Sequence, residues 1–273
     1  MSRSVVAGLL ALYATTALAA DSKYDRGTAA LERAGHQFDR AVSFREDAAS
    51  ARKSFESAAY SYRDAWASPA IRTPAVAVNQ GRAWFLAGHP QMAIRAFHDG
   101  LAVYPADSDL QHGLAVARAA VRYPDETDPA QRIRPDPPTG LRHRLSPAHL
   151  LLGSAVASLL LTAGLAARLT TRPGWAVPVA AVGLLGIAAA GAAWWLIERE
   201  TAADRARPVL VLHHEAPLRT GNGTSYPLRL DAPLPSGAEV RRMHTRGGWV
   251  QVETAGGAVG WLPETAAMPS NDE

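Results

Sequence analysis

The chain has 273 residues, enough for one large or two small domains. Charged residues make up 19% and the formal net charge is only +3, with no basic block interleaved with aromatics, which excludes the electrostatic footprint of a nucleic-acid binder. There is no cysteine, which excludes disulfides, thiolate metal ligands and a cysteine nucleophile together.

The amino terminus carries a short cationic start, "MSR", an apolar run, "SVVAGLLALYATTALAA", and a small-x-small triplet at Ala17-Leu18-Ala19. The sequence turns polar immediately afterwards, at "DSKYDR". This order predicts a secretory signal peptide over residues 1–20, cut near Ala19 or Ala20. The alternative is an uncleaved anchor helix, since the run is nearly long enough to span.

Residues 21–122 are rich in Ala and Arg, with aromatics at helical spacing. In "VNQGRAWFLAGHPQMAIRAFHDGLAVYP", small residues at Gly81 and Ala93 allow two helices to approach, Phe85 and Phe97 fill the space between them, and Gly88-His89-Pro90 breaks the chain. With Pro105 at the end, these offsets resemble a tetratricopeptide repeat. A preceding unit is weaker. Its second helix, "ARKSFESAAYSYRDAW", carries Ala51 and Phe55 at matching positions, and its first, around "GHQFDRAVSF", departs from the pattern. "DSDLQHGLAVARAAV" predicts a capping helix started by Asp107 or Ser108. The resemblance implies a surface that holds a peptide or protein. Arg82, Asp109 and His112 are the candidates to line it; the plainer reading of these three is a solvated face, and of the aromatics a packed core.

Residues 123–146 are Pro-rich without apolar periodicity and predict an extended linker that holds the helical unit off a membrane. Residues 147–167 contain no formal charge, and residues 175–197 contain none either. At about 1.5 Å per residue each covers roughly 30 Å, the thickness of a hydrocarbon core. Neither has the polar face that a soluble helix of this length needs. Trp175, Trp194 and Trp195 stand where interfacial aromatics belong, and Pro178 lies in the first turn of the second span. The short connection makes the pair an antiparallel transmembrane hairpin. Arg168 and Arg172 place that connection in the cytoplasm, Arg142 and Arg144 on the other flank weaken the charge argument, and the signal peptide decides for both soluble parts outside. Gly153 with Ala157, and Gly186 with Ala190, are candidate small-residue packing pairs. With no Asp, Glu, Lys or Arg inside the spans, the hairpin reads as an anchor rather than an ion pathway.

After a short linker at 198–207, residues 208–268 change to short β-like runs broken by glycine pairs, which predict a small all-β barrel. The residues Leu218, Arg219, Gly221, Gly223, Ser225, Tyr226 and Pro227, then Gly237 with Val240, then Gly248-Trp249-Val250 with Val252, then Gly260-Trp261-Leu262 resemble a bacterial SH3-like domain. Gly221 and Gly223 are expected to permit positive φ in the long loop, Val250 and Val252 to point inward opposite Trp249, and Trp261 to plug the barrel. Arg219 is expected to hydrogen-bond within the loop. The resemblance implies binding of cell-wall peptide or protein segments, with Arg219, Tyr226 and Trp249 lining a shallow site.

Nothing in the sequence supports catalysis: the nine His form no HExxH and no helical ligand pair, and no strand–turn–helix surrounds a nucleophilic Ser. His213 and His214 fall on an expected strand, where neighbours face opposite ways, so no shared metal ion is expected. "GNG" in the barrel loop reads as a turn, with no helix after it to receive a phosphate.

The order signal peptide, tetratricopeptide-like repeats, transmembrane hairpin and SH3-like barrel resembles BatE-type aerotolerance proteins. The resemblance spans the chain as architecture, while only the repeat and the barrel carry motifs. It implies a non-enzymatic envelope scaffold in the cytoplasmic membrane, without cofactor, working beside von Willebrand A-type membrane proteins and a MoxR-type ATPase. The alternative is a sensor whose barrel binds peptidoglycan peptide, and an assembly factor for a secreted enzyme is not separable from the scaffold by sequence.

Overall fold

A computed structural model describes residues 3–44, 47–124, 132–137, 140–171 and 173–268, with side chains from residue 23 onward. Arg172 of the expected hairpin tip and parts of the linker lie outside the described residues. The described chain is mostly helical, with two long apolar helices and a small antiparallel sheet of four strands.

Helix α1 runs without a break from Arg3 to Ser43, through the expected cleavage site at Ala19 and Ala20. Its second half packs against α2, Ala48–Trp66, which Asp47 starts by accepting hydrogen bonds from the Ala49 and Ser50 amides at 3.0 and 3.1 Å. Thr73 caps α3, Pro74–Leu86, with Pro74 at its first position, where a missing N–H costs nothing. Gly88, at φ +90°, ends that helix in the left-handed conformation that favours glycine. Helix α4, Pro90–Val103, then turns back, and Asp107 caps α5, Ser108–Ala119, through the Asp109 and Leu110 amides.

Phe97 fixes how these helices stack. It is 2% exposed, and its ring fills the space over two glycines, Gly81 on α3 and Gly113 on α5, where an added Cβ would collide with it. Gly81 and Ala93 thus allow the close approach expected of them. Phe85 is only partly buried, and the fully covered neighbour is Trp84.

Helices α6, Pro147–Thr170, and α7, Ala176–Ala206, are 24 and 31 residues long, each apolar enough to cross a membrane, with few residues of either buried. Leu152, Leu159, Leu169, Leu184 and Leu185 point outward, each at least 59% exposed. The two helices touch along a seam of small residues. A Cβ on Gly164 would lie 2.6 Å from the Ala180 amide nitrogen, and one on Gly186 would lie 2.8 Å from the Ala157 Cβ. Gly183 likewise sits against the backbone of Ala157 and Leu161. Of the two expected small-residue pairs, Gly186 of one and Ala157 of the other meet where the helices cross, while Gly153 has open space where a Cβ would stand.

Strands β1, Val209–Val211, β2, Glu239–Arg246, β3, Trp249–Glu253, and β4, Val259–Pro263, form an antiparallel meander in that order. The chain after β1 returns to the far edge: Arg219 exchanges both backbone hydrogen bonds with Trp261, at 2.8 and 2.9 Å, and Leu212 bridges Ala267. The sheet therefore closes on itself around Leu212, Leu218, Leu234, Val240, Val250, Val252 and Leu262. Val250 and Val252 point inward as the alternation requires, with Trp249 on the other face.

The linker is more than a spacer. Ile133 is 2% exposed and belongs to the core of the sheet, and the Arg132 carbonyl accepts a 2.8 Å hydrogen bond from the Gly256 amide. Near the helix pair, Glu200 of α7 accepts from the Leu141 and Arg142 amides, Arg142 pairs with Asp204 at 2.6 Å, and Gln111 of α5 donates to the His143 carbonyl. Helical unit, linker and α7 are thus tied at one joint, so the linker here docks the unit beside the apolar pair instead of holding it away.

Candidate functional site

The outer face of the sheet gathers the polar and aromatic groups. Antiparallel partners place their side chains on one face, and Leu228, Arg219, Trp261, Gln251 and His244 are successive partners across neighbouring strands. Trp249 stands two residues from Gln251 on the same face, paired with Arg246 on one side and Pro263 on the other. A register shift between Arg242 and His244 turns His244 onto this row, where its ring meets the Trp261 ring edge-on at 6.3 Å. The surface is open: Leu228 is 54% exposed, and Trp249 and Trp261 are partly covered.

Arg219 is held by the loop, as expected, donating from Nη1 to the Tyr226 carbonyl at 2.7 Å. The Tyr226 ring lies over Gly221, close enough that a Cβ there would fall 2.5 Å from its Cδ1. Neither Gly221 nor Gly223 has positive φ. That expectation is corrected: Gly221 is needed for the close approach of a ring, and the left-handed glycines are Gly237, Gly247, Gly248 and Gly257. Trp261 is corrected too. It is no plug, because it alternates with the fully buried Leu262 and so lies on the outer face, leaving the interior to Leu and Val. Arg219, Trp249 and Tyr226 are therefore on or beside one surface, and Trp261, Gln251 and His244 join it unforeseen. The missing signal was pairing register, which a single strand's alternation does not reveal.

Arg82 on α3 and Asp109 and His112 on α5 are all solvent-exposed.

The second polar centre was not anticipated. Glu239, at the start of β2 and 4% exposed at its side chain, receives two hydrogen bonds from Arg118 of α5, both 2.7 Å, and lies 2.6 Å from His98 Nε2 of α4. Burial alone would raise this carboxyl, yet His98 and Arg118 overcome it and hold the group at about 2. The helical unit and the sheet are joined through this ionised carboxylate. Beside it, Gly237 lies against Val121 and Ile94, an approach a side chain would block.

His213 and His214 do not lie on a strand. They fall in a bend after β1, with ring centroids 4.1 Å apart. Among the described residues no group of three His, Asp or Glu side chains is placed to hold a metal ion. Compared with family models, with curated proteins and with solved structures, the chain has no match.

Proposed function

We propose that the protein is a non-enzymatic, membrane-anchored scaffold of the cell envelope, with tetratricopeptide-like repeats and an SH3-like barrel on the outer side of the cytoplasmic membrane, similar in architecture to BatE-type proteins. The observation that carries the reading is the pair α6 and α7, whose Leu side chains point outward with nothing packed over them. In water such a surface is costly at roughly 25 cal/mol per Å² of apolar area, whereas hydrocarbon covers it without loss. The small-residue seam supports the same reading, since close backbone approach is how membrane helices pack. By resemblance the partners are von Willebrand A-type membrane proteins and a MoxR-type ATPase system.

The joint at Glu200, Arg142 and Gln111 puts the helical unit at the end of the hairpin from which the sheet also departs, and this supports a common side for both. Protease added to intact spheroplasts tests it. Both soluble parts should be digested, and protection of either one overturns the topology.

A second reading, a peptidoglycan-binding sensor, is favoured by the exposed row of Arg219, Trp261, Gln251, His244 and Trp249, which offers flat apolar contact and hydrogen-bonding groups to an extended chain. Sedimentation of the full-length protein in detergent with purified sacculi separates the two readings. Retention in the supernatant removes the sensor.

A further inference from the structure

One imidazole sits at the centre of the joint between the helical unit, the linker and α7. His143 closes the short turn Leu141–His143, and its ring has a partner on each side. On one side Nδ1 lies 3.0 Å from the Pro105 carbonyl, in the connection between α4 and α5. On the other side Arg142 Nε donates to Nε2 at 3.1 Å. These two partners fix the protons. A carbonyl oxygen only accepts, so Nδ1 carries a hydrogen, and a guanidinium only donates, so Nε2 offers its lone pair. The contact admits a single form of the ring, the neutral one with its proton on Nδ1.

The remaining contacts of the turn divide in two. Towards the helical unit, Gln111 of α5 donates to the carbonyls of both Pro105 and His143, at 2.9 Å each. Towards the apolar pair, Glu200 of α7 accepts from the Leu141 and Arg142 amides at 3.1 and 3.2 Å, and Asp204 of α7 holds Arg142 at 2.6 Å.

We propose that His143 is an acid-operated latch at this joint: with one proton, on Nδ1, it fastens the turn to the helical unit, and a second proton, on Nε2, releases the helical unit while the turn stays on α7.

The second proton removes the lone pair that accepts from Arg142 and leaves two cations with nitrogens 3.1 Å apart. The charged groups that act on the ring are Arg142 beside it and Asp204 and Glu200 of α7, while α5 faces it with the neutral Gln111. Both acids are already engaged, Glu200 by two amides and Asp204 by Arg142, and so they keep hold of the turn. Burial first, and then Arg142, keep His143 below the ordinary histidine range, against the pull of the Pro105 carbonyl, Asp204 and Glu200. The sign follows. A released ring titrates at about 6.5 and takes up the proton before the docked ring does. The docked joint is therefore fully favoured above about pH 6.5. Below that, its equilibrium weakens by about tenfold per pH unit until the docked ring is itself charged.

The chain has no cysteine, so spin labels on Val103→Cys of the helical unit and Ala202→Cys of α7, both at exposed positions, report the joint in the full-length protein in detergent. Between about pH 7.5 and about pH 5.5, across the histidine range, the distance distribution should move reversibly to longer values. Nitrogen-15 labelling of the nine histidines should show, at the upper pH, a ring with its proton on Nδ1 that is missing from H143Q. That ring should gain its second proton over the same pH range as the distance change. H143Q should show no lengthening, whereas H149Q, which alters an exposed histidine in the first turn of α6, should keep it. A distribution unchanged between the two pH values overturns the proposal, as does lengthening that persists in H143Q. So does a neutral His143 ring with its proton on Nε2, a measurement on the parent protein that stands whether or not H143Q folds.

Discussion

Replacing Glu239 with Gln keeps the shape of the side chain and removes its charge, leaving the Arg118 guanidinium, 16% exposed, facing a neutral amide. Two routes give the size of the effect. In the folded protein the carboxyl is lowered from an ordinary 4.5 to about 2, which at about 1.4 kcal/mol per pH unit is on the order of 3 kcal/mol. Removing one partner of a buried pair costs roughly 3–5 kcal/mol in other proteins. The loss falls on the contact between units rather than on either core. Amide hydrogen exchange on the full chain in detergent should therefore speed up by about a hundredfold in β1 and the start of β2, with the interior amides of α2 and α3 unchanged. Because the carboxyl is lowered on folding, its contribution is present above about pH 4.5 and is lost as pH falls from there toward about 2. The double variant R118M/E239L should restore most of the protection, since an apolar pair of similar volume often replaces a buried ion pair at little cost. Exchange in E239Q within threefold of the parent, or equal loss in the double variant, would refute the assignment of this carboxylate as the tie between units.

Phe97→Ala should destabilise the helical unit by about 3–5 kcal/mol, because the ring fills the space over Gly81 and Gly113; chemical unfolding followed by helical circular dichroism measures it. Gly164→Ile, which drives a side chain into the backbone of Ala176 and Ala180, should cost about 1–3 kcal/mol and open the apolar pair, whereas Gly153→Ile, in open space, should leave it intact. Cross-linking between cysteines placed at opposed positions of α6 and α7 reports both variants. Ile133→Ala should cost about 2–5 kcal/mol and expose the linker to limited proteolysis near Arg132 and Arg134, which a freely extended spacer would permit in the parent as well.

The elements were legible where one stretch of sequence carries its own signal. Asp107 and Gly88 with Pro90 mark helix boundaries through local backbone chemistry, and the structure places boundaries there. The two apolar spans announce themselves by length and composition. What was hidden depends on partners far away in sequence. Gly113 is unremarkable until Phe97 is seen over it, and Ile133 looks like a stray apolar residue in a Pro-rich tract until the sheet closes around it. Trp261 was misjudged because a large aromatic in a small sheet suggests a core, while the inward positions of β4 belong to Gly260 and Leu262. Glu239 reads as an ordinary surface acid, and only the docking of α5 makes it buried and paired.

These hidden residues share a role. Glu239, Ile133, Gly237, Glu200 and Gln111 all join one unit to another, and the contact each makes runs between elements rather than within one. A sequence parsed into repeat, linker, hairpin and barrel predicts independent parts on flexible tethers. The contacts observed instead couple them: α5 touches both the sheet, through Arg118, and the turn beside α7, through Gln111 and His143. A force or ligand acting on the outer face of the sheet therefore has a continuous path of hydrogen bonds through Glu239 and α5 to the joint at Glu200. That path ties the docking of the helical unit on the sheet to the joint beside α7.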